Sequence, residues 1–320
     1  MTKKVLITGS SIAPEFLGPL EDADLRIVNP SGLLSEDQLA AELADSTAYL
    51  LGGDEFASEK ALKAGANLKI VAFLGVGYES FVDVGAATQL GIPVTNTPGT
   101  LTDSVAEFTI GQLLNVRRLL TSYSNSYRAG KRDFEVKQKN IAGHSIGIVG
   151  LGAIGTRIAE MLTAGFGASV SYYSRTRKVE EESRLGLNYL ELDELVASVE
   201  SLILMVPGND TTRGLIDSAL VSKFKEGLLL INTARPEIVQ PEALSEGLSS
   251  GRVAVAAFDG FYGDGVGEEI MAKFGEDRLL VTGHIGSLTD DARDGMAKMA
   301  VTSILNILNS GSDKHVVNRT

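Results

Sequence analysis

The chain has 320 residues, which is long enough for two domains with complete cores. Hydrophobic residues make up 44% and charged residues 22%, an ordinary composition for a globular protein. It contains no cysteine, which excludes a disulfide framework and a thiolate metal site. A net charge of −12 disfavours nucleic acid, and no apolar run has the length of a signal peptide or a membrane span, so we expect a cytoplasmic protein with no membrane partner.

The first hundred residues alternate short apolar runs with helical patterns. Strands are predicted at 5–8, 25–28, 48–51, 69–74 and 93–95, with helices at 35–43, 58–64 and 81–90. Residues 102–129 then read as one long helix with a capping box formed by Ser104 and Glu107 near its start. Strands that alternate with helices predict a parallel sheet covered on both faces.

A second alternating series begins in the middle of the chain. Its six predicted strands, which match the count of a dinucleotide-binding domain, are 145–149, 169–173, 201–205, 228–231, 253–258 and 279–282. The apolar helix predicted at 290–308 has no strand after it and is expected to pack back on the first domain. We therefore predict an α/β fold with two doubly wound parallel-sheet domains, a discontinuous substrate domain at 1–99 and 290–320 and a dinucleotide-binding domain at 100–289.

A glycine turn joins the first strand of the second series to a helix. Gly150 permits the tight turn, Gly152 lets the backbone approach a pyrophosphate, and Gly155 lets helix and strand pack closely. The spacing alone is weak, but its position between a strand and a helix predicts a phosphate cradle.

The next predicted strand ends in a basic turn, about 20 residues beyond the glycines, where the cofactor ribose is usually recognised. An acid there would bind a free 2′-hydroxyl, whereas this turn carries Ser174, Arg175, Thr176 and Arg177. Hydroxyls and guanidinium groups suit a 2′-phosphate, so the sequence favours NADP(H) over NAD(H). The alternative is that the two arginines only form a solvated face.

Three polar residues follow the last three predicted strands, namely Arg235, Asp264 and His284. Parallel strands end at one edge of the sheet, so a cation for a carboxylate, an orienting acid and a proton donor are expected there together. In the acidic loop after 258, Glu268 or Glu269 is an alternative to Asp264.

Other polar residues have a structural interpretation. Asp259 ends a buried strand, where it is expected either to serve the site or merely to cap the following turn. His144 precedes a strand and His315 lies in a polar tail, so both are predicted at the surface.

The first domain offers one further candidate site. A strand ends in Leu74-Gly-Val-Gly-Tyr78, and backbone N–H groups there would form an anion nest for a substrate carboxylate. The alternative is a tight turn that merely requires glycine.

These residues together resemble the D-isomer-specific 2-hydroxyacid dehydrogenases over nearly the whole chain. The motifs occur in the order and spacing of the family: Gly75-Val-Gly77, Asn96-Thr-Pro98 with Val105-Ala-Glu107, Gly150–Gly155, Val206-Pro207 with Thr212-Arg-Gly-Leu-Ile216, Asn232-Thr-Ala-Arg235, Ala257-Phe-Asp259 and Gly283-His-Ile-Gly286. One such motif is weak, whereas the ordered set is specific.

The resemblance implies a flavodoxin-like substrate domain and a Rossmann cofactor domain that close over the substrate and form a homodimer through the latter. It implies a substrate carboxylate on the amides of Val76 and Gly77, Arg235 on the carboxylate and carbonyl, His284 as acid/base, and Asp264 where a glutamate is usual. The implied cofactor contacts are Ala153, Ile154, Ser174, Val206, Pro207, Thr212, Thr233, Ala234 and Asp259.

The departures from the family pattern concern the substrate more than the reaction. Pro236 stands where glycine is usual, Gln240 where aspartate is common, and Met205 where histidine is frequent. The basic turn is similar to that of the glyoxylate/hydroxypyruvate reductase branch.

The sequence therefore predicts NADPH-dependent reduction of a 2-keto acid, similar to glyoxylate or hydroxypyruvate or larger, to a D-2-hydroxy acid. Rival hypotheses are a cofactor-sensing protein resembling the corepressors of this family, and a dehydrogenase of a phosphorylated or bulkier acid. The corepressors also keep the arginine, the acid and the histidine, so these residues do not separate the first rival from the reductase. The reductase is favoured because the acidic chain offers no evident segment for a protein partner.

Overall fold

The structure is a computed structural model that describes residues 3–9, 12–23, 25–132, 140–263 and 265–319. Two compact units are present, one formed by Met1–Leu101 with Leu288–Thr320 and one by Thr102–Ser287. In the described part of the chain, no helix combines the length and the hydropathy that crossing a bilayer requires.

The elements are numbered in chain order. The strands are β1 Lys3–Thr8, β2 Leu25–Val28, β3 Ser46–Leu51, β4 Val71–Phe73, β5 Val94–Thr95, β6 Ser145–Val149, β7 Ser169–Tyr173, β8 Asn188–Tyr189, β9 Ser201–Leu204, β10 Leu228–Asn232, β11 Val253–Asp259 and β12 Leu279–Thr282. The helices are α1 Gly18–Asp22, α2 Glu36–Leu43, α3 Glu59–Ala64, α4 Val84–Gln89, α5 Thr102–Arg118, α6 Leu120–Arg128, α7 Ala153–Phe166, α8 Val179–Leu185, α9 Leu192–Ser198, α10 Ser218–Val221, α11 Pro241–Ser250, α12 Val266–Lys273 and α13 Asp290–Ser310.

The first unit is a parallel sheet in the order β2-β1-β3-β4-β5, which is the flavodoxin-like order. Side chains alternate across β1, so Val5 and Ile7 pack with Ile304 of α13, while Leu6 packs on the other face with Leu39 of α2. The C-terminal helix therefore completes the core of this unit, on the sheet face opposite α2.

The second unit is a parallel sheet in the order β12-β11-β10-β9-β6-β7-β8. The order reverses beside β6, as in a Rossmann fold, which places the start of α7 at the point where such sheets bind dinucleotides. The sequence predicted six of these strands and missed β8, because its two residues, Asn188 and Tyr189, are too few to show a period. The predicted α/β fold with two parallel-sheet domains is confirmed.

The single long helix predicted for 102–129 is wrong. Leu119 has φ 51°, a left-handed conformation that separates α5 from α6. The Asn115 side chain accepts from the Thr121 N–H at 3.0 Å and so caps the second helix. Helix α5 also begins at Thr102, two residues before Ser104, so the predicted capping box does not lie at its start.

His144 is buried, which corrects its predicted surface position. Its Nδ1 lies 2.8 Å from Glu200, and its Nε2 lies 2.7 Å from a guanidinium nitrogen of Arg117 and 3.0 Å from the Ser201 hydroxyl. Because Arg117 can only donate, Nε2 accepts and the imidazole is neutral with its proton on Nδ1. His144 thus joins the N-terminal ends of β6 and β9 to α5 as a structural residue, whereas His315 is half-buried.

Candidate active site

The turn from β6 to α7 has the geometry of a phosphate cradle. Gly150 has φ 103°, and its N–H donates to the Tyr173 carbonyl at 2.8 Å, which fixes the turn beside β7. A Cβ on Gly155 would lie 2.1 Å from the Gly150 carbonyl oxygen, so helix and turn touch. A Cβ on Gly152 would meet nothing within 4 Å, which leaves open space in front of the first turn of α7.

The first turn of α7 supplies the donors for that space. Gly152 is the N-cap and makes no side-chain capping bond, while Ala153 and Ile154 are the first helical residues. The N–H groups of a first helical turn have no carbonyl partner within the helix and favour an anion. The residues present therefore fit the pyrophosphate of a dinucleotide.

We expect Gly152→Val to weaken cofactor binding by about 10- to 100-fold, or about 1.4–2.8 kcal/mol, while the fold is retained. Gly152 has φ −82° and ψ −166°, an extended conformation that does not require glycine, and a Cβ there would meet no other atom within 4 Å. Titration with NADPH and a thermal unfolding curve measure the two effects.

The matched control is Gly165→Ala, because Gly165 lies in the same helix and its Cβ would also meet nothing within 4 Å. It should leave cofactor affinity unchanged. Wild-type affinity in Gly152→Val would contradict the assignment of this cradle.

The basic turn after β7 is exposed at Arg175, Thr176 and Arg177, while Ser174 is half-buried. The two arginines have different surroundings. Arg177 forms an ion pair with Glu182 of α8, which sequence reasoning missed, whereas Arg175 makes no hydrogen bond or ion pair with another described residue.

The loop after β9 lies against the glycine turn. A Cβ on Gly150 would come within 2.6 Å of the Met205 carbonyl oxygen and 2.9 Å of Val206. Thr212 is buried, donates to the Pro207 carbonyl and accepts from the Asn209 N–H at 3.0 Å. These bonds hold the start of the loop against Thr212.

The turn after β10 positions Arg235. The buried Asn232 side chain donates to the Arg235 carbonyl at 2.8 Å and accepts from the Ala234 N–H at 3.1 Å. Thr233 is buried and shares a hydrogen bond of 2.6 Å with Thr109 of α5. Arg235 itself is half-buried, with one guanidinium nitrogen 2.8 Å from the Ala234 carbonyl oxygen.

Arg235 also lies beside the loop after β9. A Cβ on Gly208 would stand 2.7 Å from Cγ of Arg235 and 2.4 Å from the Glu237 carboxylate. The side chains after β9 and β10 therefore share one edge of the sheet with the glycine turn, as the sequence predicted from strand order.

His284 follows β12 in a left-handed conformation with φ 57° and is exposed. Asp259, at the end of β11, holds this conformation. Its buried carboxylate accepts from the N–H groups of Ile285 and Gly286 at 2.8 and 2.7 Å and from the Thr282 hydroxyl at 2.7 Å.

Asp259 thus binds the loop that carries His284, which supports the capping interpretation of this residue. Gln112 of α5 donates to the same Thr282 hydroxyl at 3.4 Å. Sequence reasoning did not find the Gln112 contact, because a polar residue within a long helical pattern carries no signal of its partner.

Asp264, the predicted orienting acid, lies outside the described residues. The loop before it is anchored by Tyr262, whose hydroxyl donates to the Val239 carbonyl at 2.9 Å. Burial raises the pKa of Tyr262, so this phenol stays protonated and serves as an anchor.

In the first unit, the strand end after β4 has two available donors. The N–H groups of Val76 and Gly77 donate to no other described residue, while the Gly75 carbonyl accepts from both the N–H and the hydroxyl of Thr97 at 2.8 and 3.1 Å. The turn is thereby fixed with two donors left for an anion.

Comparison with known proteins gives a consistent result. The profile of the D-isomer specific 2-hydroxyacid dehydrogenase NAD binding domain matches residues 110–286. A glyoxylate reductase of Thermococcus onnurineus is 32% identical over 331 residues, which cover 100% of this chain and 97% of that protein. A glyoxylate reductase of Pyrococcus furiosus is 32% identical over 95% of this chain and 92% of its own length.

A solved structure is also similar over nearly its full length. The NADPH-dependent glyoxylate/hydroxypyruvate reductase of Sinorhizobium meliloti, crystallised with NADP and malonate, has a TM-score of 0.86 and 30% sequence identity. The match covers 99% of this chain and 97% of that one.

Proposed function

Because the chain belongs to the D-isomer-specific 2-hydroxyacid dehydrogenases, a family of oxidoreductases, we propose that it reduces a 2-keto acid to a D-2-hydroxy acid with NADPH as the preferred cofactor. The observation that carries this proposal is the shared strand edge of the second unit. There the phosphate cradle, Arg235 and the clamped His284 loop follow strands of one parallel sheet.

Each group has a proposed part in the reaction. A reduced nicotinamide, when bound, would supply the hydride for the keto carbon. Arg235 donates hydrogen bonds to the carbonyl and carboxylate oxygens, and this stabilises the negative charge that develops on the carbonyl oxygen. His284 gives that oxygen its proton. In the first unit, the N–H groups of Val76 and Gly77 are proposed to bind a carboxylate.

The residues proposed to contact the cofactor belong to the same edge of the second unit's sheet. The N–H groups of Ala153 and Ile154 would hold the pyrophosphate of a bound dinucleotide, and Val206, Pro207, Thr212, Thr233 and Ala234 are proposed as its further contacts. Asp259 is proposed to act on the cofactor site indirectly, because it holds the loop that carries His284. Asp264 is proposed as the acid that orients His284.

We expect NADPH to support reduction with a kcat/KM at least about tenfold above that of NADH, a difference of about 1.4 kcal/mol. The physical reason is the cationic turn at 174–178, which carries no acid for a free ribose 2′-hydroxyl. The measurement is initial rates with both cofactors on glyoxylate, hydroxypyruvate and a panel of larger 2-keto acids.

The panel also tests the substrate. A preference for glyoxylate or hydroxypyruvate is proposed because similar proteins are glyoxylate reductases. Preference for NADH would overturn the cofactor proposal, and cofactor binding without turnover on any 2-keto acid would overturn the reductase.

We further propose a homodimer formed through the second unit. Helix α6 has no buried residue, and Leu120 and Tyr127 on it are more than half exposed. Light scattering is expected to give twice the chain mass of 33.8 kDa, and Leu120→Glu is expected to shift the mass toward one chain. A single-chain mass for the wild type would contradict this.

A further inference from the structure

The two arginines of the basic turn are not equivalent. Nε and one terminal nitrogen of Arg177 donate to the two oxygens of Glu182, each at 2.8 Å, and the guanidinium lies over the Tyr189 ring at 5.4 Å from its centre. This is a two-point ion pair with fixed geometry. Arg175, two residues earlier, is exposed and pairs with no described carboxylate.

Glu182 is held in place from a second direction. The Tyr172 hydroxyl donates to Glu182 at 2.7 Å and accepts from the Lys178 N–H at 2.7 Å, so the carboxylate is joined to both ends of the turn. Only 13% of the Glu182 side chain is exposed. Hydrogen bonds from Arg177 and then from Tyr172 lower the pKa of Glu182 to about 2, so it is fully ionised at neutral pH.

The charge of Arg177 is therefore already compensated. A 2′-phosphate placed against Arg177 would also face the negative charge of Glu182, and the attraction and the repulsion largely offset each other. If Arg177 turned away to bind the phosphate alone, it would leave Glu182 as an unpaired carboxylate beside another anion. Arg175 has no such competing partner among the described residues.

We propose that Glu182 is a specificity-determining residue, which withholds Arg177 from the 2′-phosphate and leaves recognition of that phosphate to Arg175. This proposal rests on the proposed binding of the cofactor ribose at this turn. It predicts that removal of the Glu182 charge increases the discrimination in favour of NADP⁺.

The experiment measures the dissociation constants of NADP⁺ and NAD⁺ by titration calorimetry for the full-length wild type and four variants. These are Arg175→Gln, Arg177→Gln, Glu182→Gln and the double variant of the last two. Glutamine at 182 keeps an oxygen for the Tyr172 hydroxyl, and thermal unfolding of each variant reports on the fold. Adenosine 2′-phosphate serves as a second probe, since it carries the phosphate without the nicotinamide.

We expect Arg175→Gln to weaken NADP⁺ and adenosine 2′-phosphate about 10- to 100-fold with little change for NAD⁺. Arg177→Gln leaves the charge of Glu182 uncompensated and should weaken them by a smaller factor, about 3- to 10-fold. Glu182→Gln should tighten NADP⁺ by about 3- to 10-fold and leave NAD⁺ unchanged. In the Glu182→Gln background, Arg177→Gln should then cost about tenfold, because the released guanidinium has become a phosphate ligand.

Two results would overturn the proposal. One is a loss of NADP⁺ affinity in Glu182→Gln, which would mean that the carboxylate orients Arg177 toward the phosphate. The other is an equal cost for Arg175→Gln and Arg177→Gln. If the wild type had no preference for NADP⁺, the proposed cofactor would be contradicted. The role of Glu182 would still be supported in that case if Glu182→Gln gained affinity for NADP⁺.

Discussion

Replacement of His284 by asparagine is expected to lower kcat for keto-acid reduction by about 10²- to 10⁴-fold, the usual contribution of a positioned proton donor. Asparagine is the appropriate replacement because residue 284 has φ 57°, and asparagine accepts the left-handed conformation more readily than most residues. The Asp259 bonds to the following N–H groups can therefore persist. Stopped-flow or steady-state oxidation of NADPH measures the effect.

The matched control is His315→Asn, since His315 is half-buried in the tail of the first unit. Its activity should remain near that of the wild type. Cofactor affinity should be little changed in both variants. If His284→Asn retained full turnover, His284 would not be the proton donor.

The same assignment fixes the sign of the pH dependence. Reduction consumes the proton that His284 carries, so kcat/KM for reduction is expected to fall as the pH rises through the pKa of this histidine. Oxidation of the hydroxy acid needs the neutral imidazole and should rise over the same interval. The His284→Asn variant should lose both transitions.

Replacement of Arg235 by lysine is expected to lower kcat/KM by about 10²- to 10³-fold, the usual cost of removing a donor that stabilises developing charge. Lysine keeps the positive charge but cannot present two parallel donors to a carboxylate and a carbonyl oxygen. The Asn232 bonds that shape this turn involve the backbone of Arg235 and should survive the change. Initial rates over a range of keto-acid concentrations separate kcat from KM.

Arg26→Lys is the control for the chemical change itself, because Arg26 lies on β2 with 58% of its side chain exposed. It should leave kinetics and stability essentially unaltered. If Arg235→Lys were equally harmless, Arg235 would not bind the substrate.

The order of elements was predictable from the sequence because its signal is local. Every strand of four or more residues was found, since an apolar run between turn residues is visible without knowledge of its neighbours. The break at Leu119 was not predictable, because no glycine or proline marks it and the cap comes from Asn115 on the preceding helix. The burial of His144 was missed for a related reason, since its partners Arg117 and Glu200 lie far along the chain.

The candidate site was also predictable only in part. The order of glycines, strand ends and polar residues indicated the glycine turn, Arg235 and His284, and the second unit places all of them along one edge of its sheet. Asp264 stays a prediction, because it lies outside the described residues. The roles assigned to these residues in catalysis are proposals that the variants above test.

The sequence by itself determined most of the elements, that two parallel sheets result, and which strands end in residues capable of chemistry, because these depend on neighbours close along the chain. Only the tertiary structure decided which partners those residues have. It joined Asp259 to the N–H groups of the two residues after His284, and Glu182 to Arg177 across a turn. Such pairings depend on distances and orientations of side chains that the order of residues does not contain, so the charge of Arg177 is visible in the sequence but its compensation is not.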